Sequence, residues 1–193
     1  MLGYGQVNVP NRKDNMAEFR IRDHKVIIEI IVPIFDKYPL LTSKQFNYEK
    51  FRKALFIYNN KELSIVERNC ELLKLKILVK PENYISKVFN NITAENITLN
   101  ITKKIVSKEW LIGFTEAEGS FYLVKKGPKR ITHMFEITQK LDIIVLQGIA
   151  LILDIKVIKK QTYYTVLTQN QKSVYLDYFN GQIKGIKAVE FRI

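Results

Sequence analysis

Residues 120–126 and 130–139 alternate polar and apolar side chains across a Gly127-Pro128 turn. Alternation with period two describes a strand with one buried and one open face. Phe121, Leu123, Phe135 and Ile137 fall on the face expected to meet helices. Ser120, Tyr122, Lys126, Arg130, Thr132, Glu136 and Thr138 fall on the open one, and Lys140 follows directly. Near the N-terminus, Gln6 and Asn8 alternate with Val7 and Val9, while Glu18, Arg20 and Arg22 alternate with Phe19 and Ile21. Residues 155–160 and 163–168 give a third ribbon carrying Lys156, Lys159, Lys160, Tyr163 and Tyr164. A two-stranded ribbon with such side chains can follow the major groove of duplex DNA, where Gln, Arg and Lys read base edges. The same chemistry suits an RNA backbone, which asks for charge and aromatic planes. A further carboxylate, Glu118, closes the segment Leu111-Ile112-Gly113-Phe114-Thr115-Glu116-Ala117-Glu118-Gly119. Gly113 and Ala117 lie four residues apart, hence on one helix face, and their small size lets a second helix backbone approach closely. Glu118 then stands at the foot of a helix pair, beside the sheet.

These groups need elements to hold them. Ser107 caps a helix that Gly119 ends, and residues 120–139 form the hairpin. Residues 142–153 are an almost continuously apolar helix, followed by the hairpin of 155–168 and a short helix at 172–179. In the first half, Asp23 caps a helix of about residues 24–35 that Tyr38-Pro39 ends. Residues 45–58 are helical with Phe46, Phe51, Leu55 and Tyr58 on a stripe. Residues 61–79 form another helix, stopped at Lys80-Pro81. Residues 81–106 are Asn/Thr-rich without a clear period and read as a linker, so the expected domains are 1–80 and 107–193. The first half matches the back part of the second, and its apolar strand face (Val7, Val9, Phe19, Ile21) has too little core to cover it.

Composition narrows the partner. The 193 residues carry 31 Lys and Arg against 19 Asp and Glu, a formal net charge of +12, and 47% are hydrophobic. Disorder is excluded, and polyanions are favoured as partners. The excess is +7 over residues 1–105 and +5 over 106–193, so it is no basic tail. Cys70 is the one cysteine, and His24 and His133 the two histidines, which excludes a disulfide scaffold or a Cys/His zinc centre. Cys70 is expected to be buried or half-buried in its helix, and both histidines structural. No run reaches the roughly 18–20 apolar residues of a membrane span, and no membrane partner is expected. Abundant Ile, Lys and Asn hint at an AT-rich, organellar gene.

The nonapeptide of residues 111–119 resembles the LAGLIDADG motif, in the form found as the second motif of double-motif homing endonucleases and maturases of fungal mitochondrial introns. Phe135-Glu136-Ile137-Thr138-Gln139-Lys140 resembles that family's second strand. Arg20 to Asp23, Pro33 to Leu40, Ser43-Lys44-Gln45 and Tyr48 to Phe51 resemble the end of a first repeat, and Gly185-Ile186-Lys187 the end of a second. The resemblance implies an α+β fold of αββαββα units, one near-complete repeat preceded by a truncated one. It implies a carboxylate from each of two motif helices holding Mg²⁺ at the scissile phosphates. Glu118 would be the catalytic metal ligand, Lys187 and Lys44 the lysines of the two repeats, and Gln139 a polar residue bordering the metal. Gly113 and Ala117 would pack the helix pair. A first motif is missing from the resemblance, so the chain is expected to be catalytically incompetent alone. The favoured reading is a mitochondrial protein binding RNA structurally, in a ribosome or on intron RNA. The alternative is a Mg²⁺-dependent DNA endonuclease completed by a second chain, a homodimer or further residues.

Overall fold

The computed structural model describes residues 3–11, 16–169 and 178–192. They divide into two compact units, Met1–Ser86 and Lys87–Ile193.

In the first unit, β1 (Gln6–Asn11) pairs antiparallel with β2 (Met16–Arg20), Gln6 opposite Arg20 and Val7 opposite Phe19. Asp23 caps helix α1 (His24–Val26), its Oδ1 accepting from Lys25 N at 2.8 Å and Val26 N at 3.4 Å. The helix passes through a π-helical turn (Ile27–Ile31) into α2 (Val32–Lys37). Pro33 lacks an N–H and its ring crowds the carbonyl four residues back. A wider turn immediately before it relieves both. Helix α3 (Lys44–Asn59) buries Gln45, Tyr48 and Leu55. The Tyr48 hydroxyl lies 2.7 Å from Asp36 Oδ1 and 3.0 Å from the Val32 carbonyl, and burial together with Asp36 pushes its pKa up to about 12. The expected stripe is therefore displaced: Leu55 is in the core, but Phe51 and Tyr58 are exposed, and polar Gln45 and Tyr48 take the inner positions. Helix α4 (Ile65–Ile77) starts at a Ser64–Glu67 capping box and ends before Lys80-Pro81. Its outer face leaves Val66, Leu73 and Ile77 exposed, and Cys70 with them, contrary to the burial expected of that cysteine.

The second unit opens with a 3-10 turn (Lys87–Phe89) and helix α5 (Leu99–Ile105), so residues expected as an irregular linker are partly helical. Thr98 caps α5, and the helix packs on α7 (Ile143–Leu153), where Gly148 permits the approach. A Cβ there would stand 3.1 Å from the Thr102 methyl. Helix α6 (Lys108–Glu118), β3 (Gly119–Gly127), β4 (Arg130–Gln139), α7, β5 (Val157–Lys159) and β6 (Tyr164–Thr168) follow in the expected order. The antiparallel sheet runs β3-β4-β6-β5. Leu111, Ile137, Leu146, Ile149, Leu153 and Val166 form its fully buried core. Residues 172–177 of the expected last short helix lie outside the described residues. A helix not foreseen, α8 (Ile186–Phe191), packs on β3, with Phe191 edge-on to Phe121. This mixed architecture agrees with the α+β class expected.

Candidate nucleic-acid interface and catalytic carboxylate

Local chemistry fixes both ends of α6. The Ser107 hydroxyl accepts from Trp110 N at 3.1 Å, and the helix gives way to extended chain at Gly119. Only glycine fits there, because a Cβ would lie 2.6 Å from the Thr115 carbonyl oxygen. Gly119 is already in β3, opposite Ile137. Glu118 thus occupies the helix–strand junction, half-buried and engaged by neighbouring groups. Gln139 ends β4 two residues beyond Ile137, on the same face as Ile137 and at the same end of the sheet.

The other carboxylate of the motif has a different task. Glu116 accepts from Gly185 N at 3.1 Å and from Lys184 N, pinning the segment that leads into α8. A Cβ on Gly185 would meet Glu116 Oε2 at 2.7 Å, so a side chain there would have to displace the Glu116 carboxylate. Lys187 sits on α8 with its Nζ 2.9 Å from Glu190 Oε2. Lys44 begins α3 in the first unit. Gly113 and Ala117 are exposed, and open space surrounds the position a Gly113 Cβ would take. The seam is present, and among the described residues nothing is packed into it.

The open face of β3 and β4 carries a connected polar cluster. Tyr122 OH donates to Glu136 Oε2 at 2.7 Å, while Thr165 and Thr138 hydroxyls lie 2.9 and 3.3 Å from Glu136 Oε1. Lys126 and Arg130 are exposed at the hairpin tip, Lys140 is exposed just past the end of β4, and Thr132 is half-buried. Leu123 departs from expectation. It pairs with His133 and both are exposed, as is Ile131, because the hairpin tip projects beyond the covering helices. On the second hairpin Ile158 lies opposite Thr165 on the open face, whereas Lys159 lies opposite Tyr164 on the other. Lys156, Lys159 and Lys160 are all exposed. Thr165, fully buried and absent from the expected set, is the cluster's anchor. It stands opposite Thr138, a pairing that the strand register shows and the amino-acid sequence does not. In the first unit, Gln6, Asn8, Arg20 and Arg22 line one concavity of about 530 Å³. Arg20 is ion-paired with Glu18, and Val7 and Phe19 opposite are exposed, as the missing cover implied.

The Glu136 hydrogen bond, and then burial, push the Tyr122 phenol up to about 12. A tyrosine whose folded pKa is raised adds stability that is complete below its unfolded pKa near 10 and lost as pH climbs through the folded value. Spectrophotometric titration is therefore expected to show Tyr122 ionising late together with Tyr48 and Tyr84, and Glu136→Gln should return one of these late phenols toward 10. An unchanged titration would mean the hydrogen bond is not made.

A carboxylate at a helix foot, exposed small residues beside it and a four-stranded antiparallel sheet make up the α+β scaffold of the second unit. The LAGLIDADG endonuclease family matches residues 1–55 and 111–192, and the chain belongs to it. It is 36% identical over 203 residues to a probable intron-encoded endonuclease, Cox1-I1b, of Schizosaccharomyces pombe, an alignment that takes in 100% of this chain and 49% of that protein. An uncharacterised mitochondrial protein of Saccharomyces cerevisiae, RF1, is 38% identical over 109 residues, 56% of this chain and 20% of its own. The chain thus spans about half the length of the first relative and a fifth of the second. The solved structure of I-SmaMI bound to an uncleaved DNA target in the presence of calcium ions superposes with a TM-score of 0.73 at 21% identity, covering 98% of this chain and 69% of I-SmaMI.

Proposed function

We propose that this chain binds duplex DNA through its strand ribbons and contributes one of the two catalytic carboxylates of a homing endonuclease. The observation that carries the reading is the open face of β3 and β4, where Tyr122, Glu136 and Thr138 form one cluster, with Lys126 and Arg130 exposed at the hairpin tip and Lys140 exposed past the end of β4. A major groove about 12 Å wide admits a two-stranded ribbon of the kind that β3 and β4 form. The DNA-bound state of I-SmaMI, whose fold this chain shares, supports duplex DNA over the RNA reading. The RNA reading draws on the same basic surface and has no observation of its own. The proposed compartment is the mitochondrion. The S. cerevisiae relative and the AT-rich signature of the composition support it.

Among the described residues no three His, Cys, Asp or Glu side chains group to hold a metal ion. Glu118 fits one oxygen-donor position of a Mg²⁺ site, because Mg²⁺ takes one or two carboxylates and fills its shell with water and phosphate oxygens. When bound, the metal would supply Lewis-acid activation of water and leaving-group stabilisation. Gln139 would border it, and Lys187 and Lys44 are the candidate lysines. A single copy offers one such carboxylate beside an open seam at Gly113 and Ala117, so it is not expected to cut both strands. A second motif helix, from another copy, another chain or further residues of the same polypeptide, would complete the pair.

The test is a titration of labelled duplex DNA at low salt. Wild type should bind, and a Lys126→Ala/Arg130→Ala double variant should bind about tenfold more weakly. Equal binding by both would contradict the assignment of this face.

A further inference from the structure

Building on the duplex-DNA reading, we propose that Glu136 reads a cytosine amino group in the major groove, with Thr165 as its positioning residue. Glu136 stands mid-strand on the open face, opposite Ser120 on β3 and Leu167 on β6. Its Oε2 accepts from Tyr122 at 2.7 Å, and its Oε1 faces the Thr165 and Thr138 hydroxyls at 2.9 and 3.3 Å. An ionised carboxylate has about four acceptor positions and no proton to give. Oε1 is filled from within the sheet. Oε2 keeps an acceptor position, and Tyr122, whose proton is committed to Glu136, presents its own oxygen as a second acceptor. Tyr122 is 40% exposed, so this acceptor pair faces outward.

Charge makes the placement informative. Among the described residues the hydrogen-bond partners of Glu136 are hydroxyls, with no cation among them. On a chain of net charge +12, a carboxylate left without a counter-ion on the binding face weakens attraction to phosphates. It is compatible with binding where it meets base edges, with the lysines and arginine at the flanks meeting backbone. Guanine and thymine present acceptors in the major groove and would be repelled. Adenine places its N7 acceptor beside its amino group. Cytosine presents the N4 amino donor and is the base a Glu accepts from. Thr165 has no exposed surface and so acts through Glu136 rather than on DNA.

Selection from a randomised duplex library by the full chain tests this. Wild type is expected to enrich a C·G pair at one position by about tenfold over other pairs, the scale of one mismatched pair. Glu136→Gln should convert that position to A·T, since Gln pairs with adenine N6 and N7, and leave the rest of the site unchanged. Glu136→Ala should erase the preference there. Thr165→Val should keep cytosine but reduce its enrichment several-fold, and Thr165→Ser should restore it. A merely structural Thr165 would instead weaken all sequences alike. A site selected identically by wild type, Glu136→Gln and Glu136→Ala would overturn the proposal and leave DNA binding standing. No enrichment of any duplex would overturn the duplex-DNA reading, and this proposal with it.

Discussion

Glu118→Gln is expected to leave duplex affinity within a few-fold of wild type and to remove metal-dependent chemistry. Gln has nearly the same shape, so the α6–β3 junction keeps its packing. What it loses is the negative charge that makes a carboxylate oxygen a good ligand for a hard divalent cation. Gly113 and Ala117 leave room for a second motif helix, and once a partner fills that seam, strand cleavage in Mg²⁺ should fall at least about 100-fold with Glu118→Gln, the scale of losing one charge-stabilising group. A second readout is independent of cleavage. Ca²⁺ should tighten DNA binding by wild type and not by Glu118→Gln. A single copy without a partner should leave supercoiled plasmid unlinearised. Equal Ca²⁺ enhancement in both proteins, or linear product from a monomer, would contradict the assignment.

The second large effect is ionic. Net charge is spread over both halves, and each ribbon carries exposed Lys or Arg, so several phosphates should be neutralised at once. With six or more phosphate contacts, affinity is expected to drop by about 10³-fold or more between 50 and 200 mM salt. The slope of log affinity against log salt measures the number of contacts, and Lys126→Ala or Arg130→Ala should each reduce it by about one. A flat dependence would mean that the basic charge is incidental and the chain is a protein-interaction module.

Where short-range rules decide, the elements were legible in the amino-acid sequence. Ser107 and Gly119 bound α6, Asp23 caps α1, and Gly127-Pro128 turns the hairpin, each through one local interaction. Period-two alternation placed Tyr122, Glu136 and Thr138 on one face correctly because β3 and β4 are paired in regular antiparallel register there. The same rule failed at Leu123, since a hairpin tip beyond the helix layer has two solvent faces and alternation there no longer predicts burial. On α3 the apolar stripe misled because Gln45 and Tyr48 satisfy their polar atoms internally and occupy the core, leaving Phe51 and Tyr58 outside. Helices α5 and α8, of seven and six residues, are too short to show a period. Thr165 was passed over because its importance lies in a cross-strand partner that only the register reveals. The tie between Glu116 and the backbone of Lys184 and Gly185 spans nearly seventy residues and leaves no local trace.

Competition between duplex DNA and RNA for the β3–β4 face tests the central claim most directly. With labelled duplex bound at low salt, unlabelled duplex DNA should displace it at least tenfold more effectively than single-stranded or A-form RNA of equal length, and Lys126→Ala/Arg130→Ala should lower affinity for DNA. A-form RNA buries its base edges in a deep, narrow major groove that side chains cannot read, so a ribbon built for the DNA groove has little to hold there. RNA competing as well as or better than DNA, with equal loss of both in the double variant, would contradict the account and return the chain to an RNA-binding role.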